Sequence, residues 1–109
     1  MREMQEWVDA TAKEFLDGNP PRHGNNVMGL VGGLVISVYL RKPYTVAVVT
    51  PSDASEEECV GVAKVNWPDK WDEAFGAMVA VKRALKEYWR KSHAGLDSLL
   101  SGLVALILR

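Results

Sequence analysis

Between positions 2 and 16 apolar residues return at spacings of three and four, at Met4, Trp7, Val8, Ala12, Phe15 and Leu16, with Thr11 in step. That period lays one stripe of a helix against a core and predicts the first helix. Gly18 and then Asn19-Pro20-Pro21 end it, since proline has no amide proton to donate and restrains the residue before it. After a loop, positions 27–40 are dense in Val, Ile and Leu with Gly32-Gly33 at the centre. They predict either one long buried strand or two short strands turning at the glycines. Arg41-Lys42-Pro43 interrupts the run, and the β-branched stretch 44–49 resumes it as the other arm of a hairpin. A polar loop opens at Thr50-Pro51-Ser52-Asp53. Positions 59–67, with Val60, Val62 and Val65 as the apolar members, predict a further strand that ends at Pro68.

The helical period returns over 69–91, where Trp71, Ala74, Phe75, Met78, Val81, Leu85, Tyr88 and Trp89 share the face expected to pack on the sheet. Asp69, Asp72 and Glu73 lie near its start and Lys82, Arg83, Lys86, Arg90 and Lys91 toward its end, the distribution that complements a helix dipole. Gly95 is expected to break it. Beyond that glycine, Leu96, Leu99, Leu100, Leu103, Val104, Leu106, Ile107 and Leu108 are too apolar to stand in water. A short third helix over 96–108 is expected to dock, either on its own domain or across a homodimer interface made by Leu96, Leu99, Leu100, Leu103, Val104 and Ile107. The fold class is therefore α+β: a small antiparallel sheet of three or four strands packed by helices, in the order α-β-β-(β)-α-α.

A chain of 109 residues has room for one core, so residues 1–109 are expected to form a single domain. A net charge of −1 argues against a general nucleic-acid binder built on excess positive charge and against an acidic mimic of DNA, so any electrostatic role is local. Cys59 is the only cysteine, which excludes an internal disulfide and a thiolate metal cluster. Positions 1–17 are acidic and amphipathic rather than basic and then apolar, unlike a secretory signal. Segment 27–40 falls short of the roughly 20 apolar residues that span a bilayer as a helix. A cytoplasmic protein without a membrane segment is expected.

Candidate chemistry is sparse. His23 and His93 sit on unrelated elements with no spacing that suggests a metal pair or a dyad. Cys59 follows three glutamates, which oppose a thiolate, so a strand cysteine acting as a small hydrophobe is the plainer reading. Gly29, Gly32 and Gly33 match neither phosphate-loop spacing and read as turn or close-packing glycines. No catalytic residue, metal ligand or cofactor is assigned. Three features remain as partner-binding candidates: Trp67 at the strand-to-helix corner; the basic flank Lys82, Arg83, Lys86 and Arg90; and the acidic loop Asp53, Glu56, Glu57 and Glu58.

The run Gly61-Val-Ala-Lys-Val-Asn-Trp-Pro-Asp-Lys-Trp-Asp-Glu-Ala-Phe-Gly-Ala-Met-Val-Ala-Val-Lys-Arg-Ala-Leu85 resembles the strand-to-helix unit of small bacterial and phage proteins, which implies a phage or mobile-element setting. The order helix, three strands, helix, with Ala80 to Leu85 ending the second helix, is also similar to the double-stranded-RNA-binding domain. That family begins its second helix with a lysine pair, whereas Asp69, Asp72 and Glu73 stand here, so the resemblance implies its topology more than its ligand. The expected function is a non-enzymatic protein-protein interaction module, such as a phage-encoded inhibitor of a host defence system of the anti-CRISPR type. The alternative is a nucleic-acid-binding module that uses the basic flank of the second long helix and binds weakly.

Overall fold

The computed structural model describes residues 2–18, 20–52, 58–65 and 70–107, with side chains over 3–18, 20–52, 58–65 and 70–92. The fold is α+β. Helix α1 (Arg2–Asp17) precedes five strands, β1 (Arg22–His23), β2 (Asn26–Val31), β3 (Leu34–Arg41), β4 (Tyr44–Pro51) and β5 (Cys59–Lys64), and α2 (Glu73–Ile107) follows them. The strands form one antiparallel meander in the order β1-β2-β3-β4-β5. Segment 27–40 is two strands rather than one. They turn at Gly32 and Gly33, whose φ angles of 53° and 78° are the pair of positive values that a two-residue hairpin with strand-matched twist requires. The sheet thus has one long strand more than a single-strand reading of 27–40 would give, and the two-residue β1 extends its edge.

Register aligns one face completely. Val27, Val38, Ala47 and Gly61 lie side by side across β2 to β5, with Gly29, Ile36, Val49 and Cys59 in the next row. Both helices lie on this face. Met4, Val8, Ala12 and Phe15 of α1 and Ala80, Val81, Ala84 and Leu85 of α2 complete the core with the buried strand residues. Phe15 packs directly on the backbone of β2, since a side chain at Gly29 would meet its ring at 2.9 Å. At Gly61 the approach is closer still, because any side chain there would run into the backbone of α2 at Ala80 and Ala84.

That closeness decides the phase of β5, which the sequence left open, and corrects the stripe expected for α2. On β5 the buried members are Cys59, Gly61 and Ala63, and Val60 and Val62 face away from the helices. Only small residues fit between the strand and a helix whose backbone touches it, so the larger valines turn outward. On α2 the buried face is Ala80, Val81, Ala84 and Leu85, leaving Phe75 60% exposed rather than in the core. The helix also starts later than 69–91 implies. Asp72 caps it by accepting a hydrogen bond from the Phe75 amide at 3.1 Å, so Trp71 is half-buried before the first turn instead of lying on the helical stripe.

The break expected at Gly95 is absent. Helix α2 continues to Ile107, a single element where two were expected. Glycine inside a helix costs about 1 kcal/mol relative to alanine, which slows propagation without stopping it when no proline or left-handed residue follows. Lys82, Arg83, Lys86 and Arg90 consequently sit in mid-helix, and the last turn carries no basic residue, so their placement is not a response to the helix dipole. At about 1.5 Å per residue a 35-residue helix is about 52 Å long, close to the 58 Å longest dimension of the molecule. Strands of eight residues reach only about 26 Å. The helix outruns the sheet. The side chains of the expected interface residues Leu96, Leu99, Leu100, Leu103, Val104 and Ile107 lie outside those described.

Gly61→Ala is expected to destabilise the fold by about 1–3 kcal/mol, because α2 must lift off β5 to admit one methyl group. Thermal melting reads this as a fall of roughly 5–20 °C for a domain of this size. Val60→Ala, on the other face of the same strand, should move the midpoint much less.

Candidate interaction surface

A strand sends alternate side chains to opposite faces, so packing two helices on one face leaves the other bare. Its cross-strand rows follow from the register. Leu30, Val35 and Thr50 lie at one end, then Met28, Ser37, Val48 and Val60, then Asn26, Tyr39, Val46 and Val62, and finally Arg41, Tyr44 and Lys64 at the far end. No described residue covers this face: Leu30 is 70% exposed, Val60 51% and Met28 48%, and Val62 and Tyr44 are exposed as well. Ser37 is buried by its larger neighbours, which makes a dip near the centre. The strand residues supply no carboxylate to this face. Its cations are confined to one end, where the Lys64 ammonium sits 5.7 Å from the centre of the Tyr44 ring. At the other end Glu58 is exposed just before β5, in step with Val60, Val62 and Lys64.

The expected partner-binding residues do not assemble into one site. Trp67, Asp53, Glu56 and Glu57 fall outside the described residues. The basic flank of α2 is divided among internal contacts. Lys82 pairs with Asp9 of α1 at 3.1 Å, and Arg83 donates to the Val62 carbonyl at 2.6 Å, tying the helix to the edge strand. Lys86 is half-buried and Arg90 exposed. The hydrogen bond and charge of Lys82 hold the Asp9 carboxyl below the usual aspartate range, helped by a bond from Gln5. His23 is exposed on β1 and Cys59 is buried at the start of β5. Among the described residues no group of three or more His, Cys, Asp or Glu side chains is placed to hold a metal ion.

Two hollows flank the start of α2. A groove of about 430 Å³ is lined by Thr45, Ala63, Lys64, Val65, Lys70, Asp72, Phe75 and Gly76. Within it Thr45 is almost fully buried and its hydroxyl finds no hydrogen-bond partner among the described residues, because Gly76 of α2 presses against it. The second hollow, about 230 Å³ and mostly apolar, lies between Phe15, Val27, Val38, Leu40 and Ala77. Arg22 and Glu73, paired at 3.1 Å, stand at its rim. Toward the middle of α2, Trp7 packs on Tyr88 and Trp89 with ring centres 6.0 and 5.4 Å apart, joining the two helices through aromatic contact rather than charge.

The sequence reading did not identify the apolar face, because it took 27–40 as buried sheet and left the inner side of 59–67 unassigned. The signal available was the alternation of small with large residues along β5, Cys59-Val60-Gly61-Val62-Ala63, where the small positions mark the helix side. No family model, curated protein or solved structure matches the chain. No helix among the described residues is long and apolar enough to cross a membrane.

Two measurements probe these assignments. Thr45→Val removes a buried hydroxyl without a partner while keeping its shape, and is expected to raise stability by about 1 kcal/mol, read as a higher melting midpoint. A carbon-13 titration should place Asp9 below an ordinary aspartate, and Lys82→Ala should move it back up. The sign follows from the depressed folded value: the pair's contribution is complete above the pKa of an unfolded aspartate and is lost as pH falls through the folded one. Because the pair is exposed, the change in melting temperature that accompanies it should be small.

Proposed function

We propose that this protein is a non-enzymatic protein-binding module that acts by laying the bare face of its sheet on a partner. The observation that supports the reading is the apolar surface of Leu30, Val35, Met28, Val48, Val46 and Val62 around Ser37, left without a covering element among the described residues. A patch of this kind is rare on a monomer that binds nothing and is a common mark of a protein contact. Blocking a larger target by occupancy needs no more chemistry than this. The resemblance of 61–85 to phage proteins suggests an inhibitor of a host defence system as one such setting. Nucleic-acid binding through α2 is the less favoured reading, since phosphate recognition needs unengaged cations and Lys82 and Arg83 are held by Asp9 and the Val62 carbonyl.

Site-specific photo-crosslinking in cells tests this. A benzophenone-bearing residue at Leu30 or Val62 is expected to trap a protein, and the same residue at Arg90 is not. Adducts confined to Arg90, or nucleic acid trapped there, would overturn the reading in favour of the helix flank.

A further inference from the structure

We infer that the bare sheet face is self-complementary and that one of its occupants is a second copy of this chain, packed face to face about a two-fold axis running across the strands. The inference rests on the proposed role of that face as a contact surface. It adds the identity of the partner and its orientation.

Two symmetric ways exist to lay the face on itself. With the axis along the strands, like ends meet, and the Arg41 and Lys64 end of one copy lies on the same end of the other, cation against cation. With the axis across the strands, ends exchange. The axis that sets Glu58 opposite Lys64 passes at the level of Gly61, with which Val38 and Ala47 lie side by side across β3 to β5. Each β5 then runs antiparallel over the β5 of the second copy. Val60 meets Val62, and Glu58 of each copy faces Lys64 of the other. On β3 the same operation sets Tyr39 over Ser37, a large ring opposite the dip in the face. The Glu58 and Lys64 match and the relief at Tyr39 and Ser37 favour the second arrangement, in which Arg41 falls over Val35 at the margin, whereas the first sets the cations of both copies together.

Area is sufficient. With strands about 4.8 Å apart and about 3.3 Å per residue, the four longer strands give a footprint on the order of 500 Å², so two copies bury on the order of 1,000 Å², the threshold of a specific interface. Sheets stacked this way sit about 10 Å apart and at about 30° to one another, as in a β-sandwich, which keeps the helices of both copies on the outside. An interface of this size lies well below that of an obligate dimer, so a dimer that dissociates on dilution is expected.

Sedimentation equilibrium of the full chain at low salt tests the inference. The wild type is expected to be a dimer at about 100 μM and to dissociate at roughly micromolar dilution. Val60→Glu and, as a second route should that variant fold poorly, Met28→Glu bury a carboxylate in the contact and should weaken association about a hundredfold or more while the circular dichroism spectrum is retained. Glu58→Lys and Lys64→Glu each place like charges together at two symmetric points and should weaken it about five- to tenfold, whereas the double variant restores it to within about twofold. A wild type that stays monomeric throughout, or a dimer indifferent to both Val60→Glu and Met28→Glu, overturns the inference. A double charge reversal no better than its parents overturns the two-fold across the strands. Should the wild type be monomeric while Leu30 and Val62 still cross-link to a different protein, self-association fails and the protein-binding role stands.

Discussion

Everything in this fold depends on how closely α2 can approach the sheet. At Gly61 the strand has no side chain because the backbone of the helix occupies the space that one would need. The surrounding contacts are small for the same reason: Ala47 and Ala63 on the strands, Ala80 and Ala84 on the helix. A close contact of this kind gains dispersion across many atoms at once, and it leaves little freedom for the helix to slide or rotate. Helix α1 makes a similar contact at Gly29 through Phe15, so both helices are seated on the same face by the same device. The pairs at Lys82 and Asp9 and at Arg22 and Glu73 lie at the surface and contribute little beyond fixing how the elements sit.

The bare face of the sheet is the consequence. Once two helices are committed to one face of a five-stranded sheet, nothing in the described structure is left to cover the other. On β5 the valines that cannot fit beneath α2, Val60 and Val62, lie there. An exposed sheet with this composition is an aggregation hazard unless it has an occupant. The separation of its charges, with Glu58 at one end and Arg41 and Lys64 at the other, discriminates between ways of covering it without adding charge to its centre. Like-charge juxtaposition penalises wrong registers, and apolar contact supplies the attraction.

Thr45 shows the same constraint working against the local chemistry. Its position on the helix-facing side of β4 is dictated by alternation, and the press of Gly76 strips its hydroxyl of solvent without supplying a partner. A valine would satisfy the packing better. The hydroxyl lines the groove at the start of α2, whose other walls include Lys64, Lys70, Asp72 and Phe75, so a buried polar group without a partner among the described residues sits in that hollow's wall.

By itself the sequence determined the α+β class, the first helix, the hairpin across Arg41-Lys42-Pro43 and the positions of most elements, because periods of 3.6 and 2 are local properties of side-chain order. The glycine pair at 32 and 33 left one strand or two open, and Gly95 suggested an end to a helix that continues, since glycine lowers helix propensity without dictating a stop. What only the tertiary structure decided was the phase: which side of β5 meets the helix and which side of α2 meets the strand. Alternation along β5 specifies two faces without saying which is buried, and the helical stripe placed Phe75 on the packed side of α2. The close approach at Gly61 decides both, because where two backbones touch, size is excluded before hydrophobicity is rewarded. The bare face of the sheet was therefore not legible in the sequence, where 27–40 read as buried sheet and 59–67 as an alternating strand with no inner side assigned.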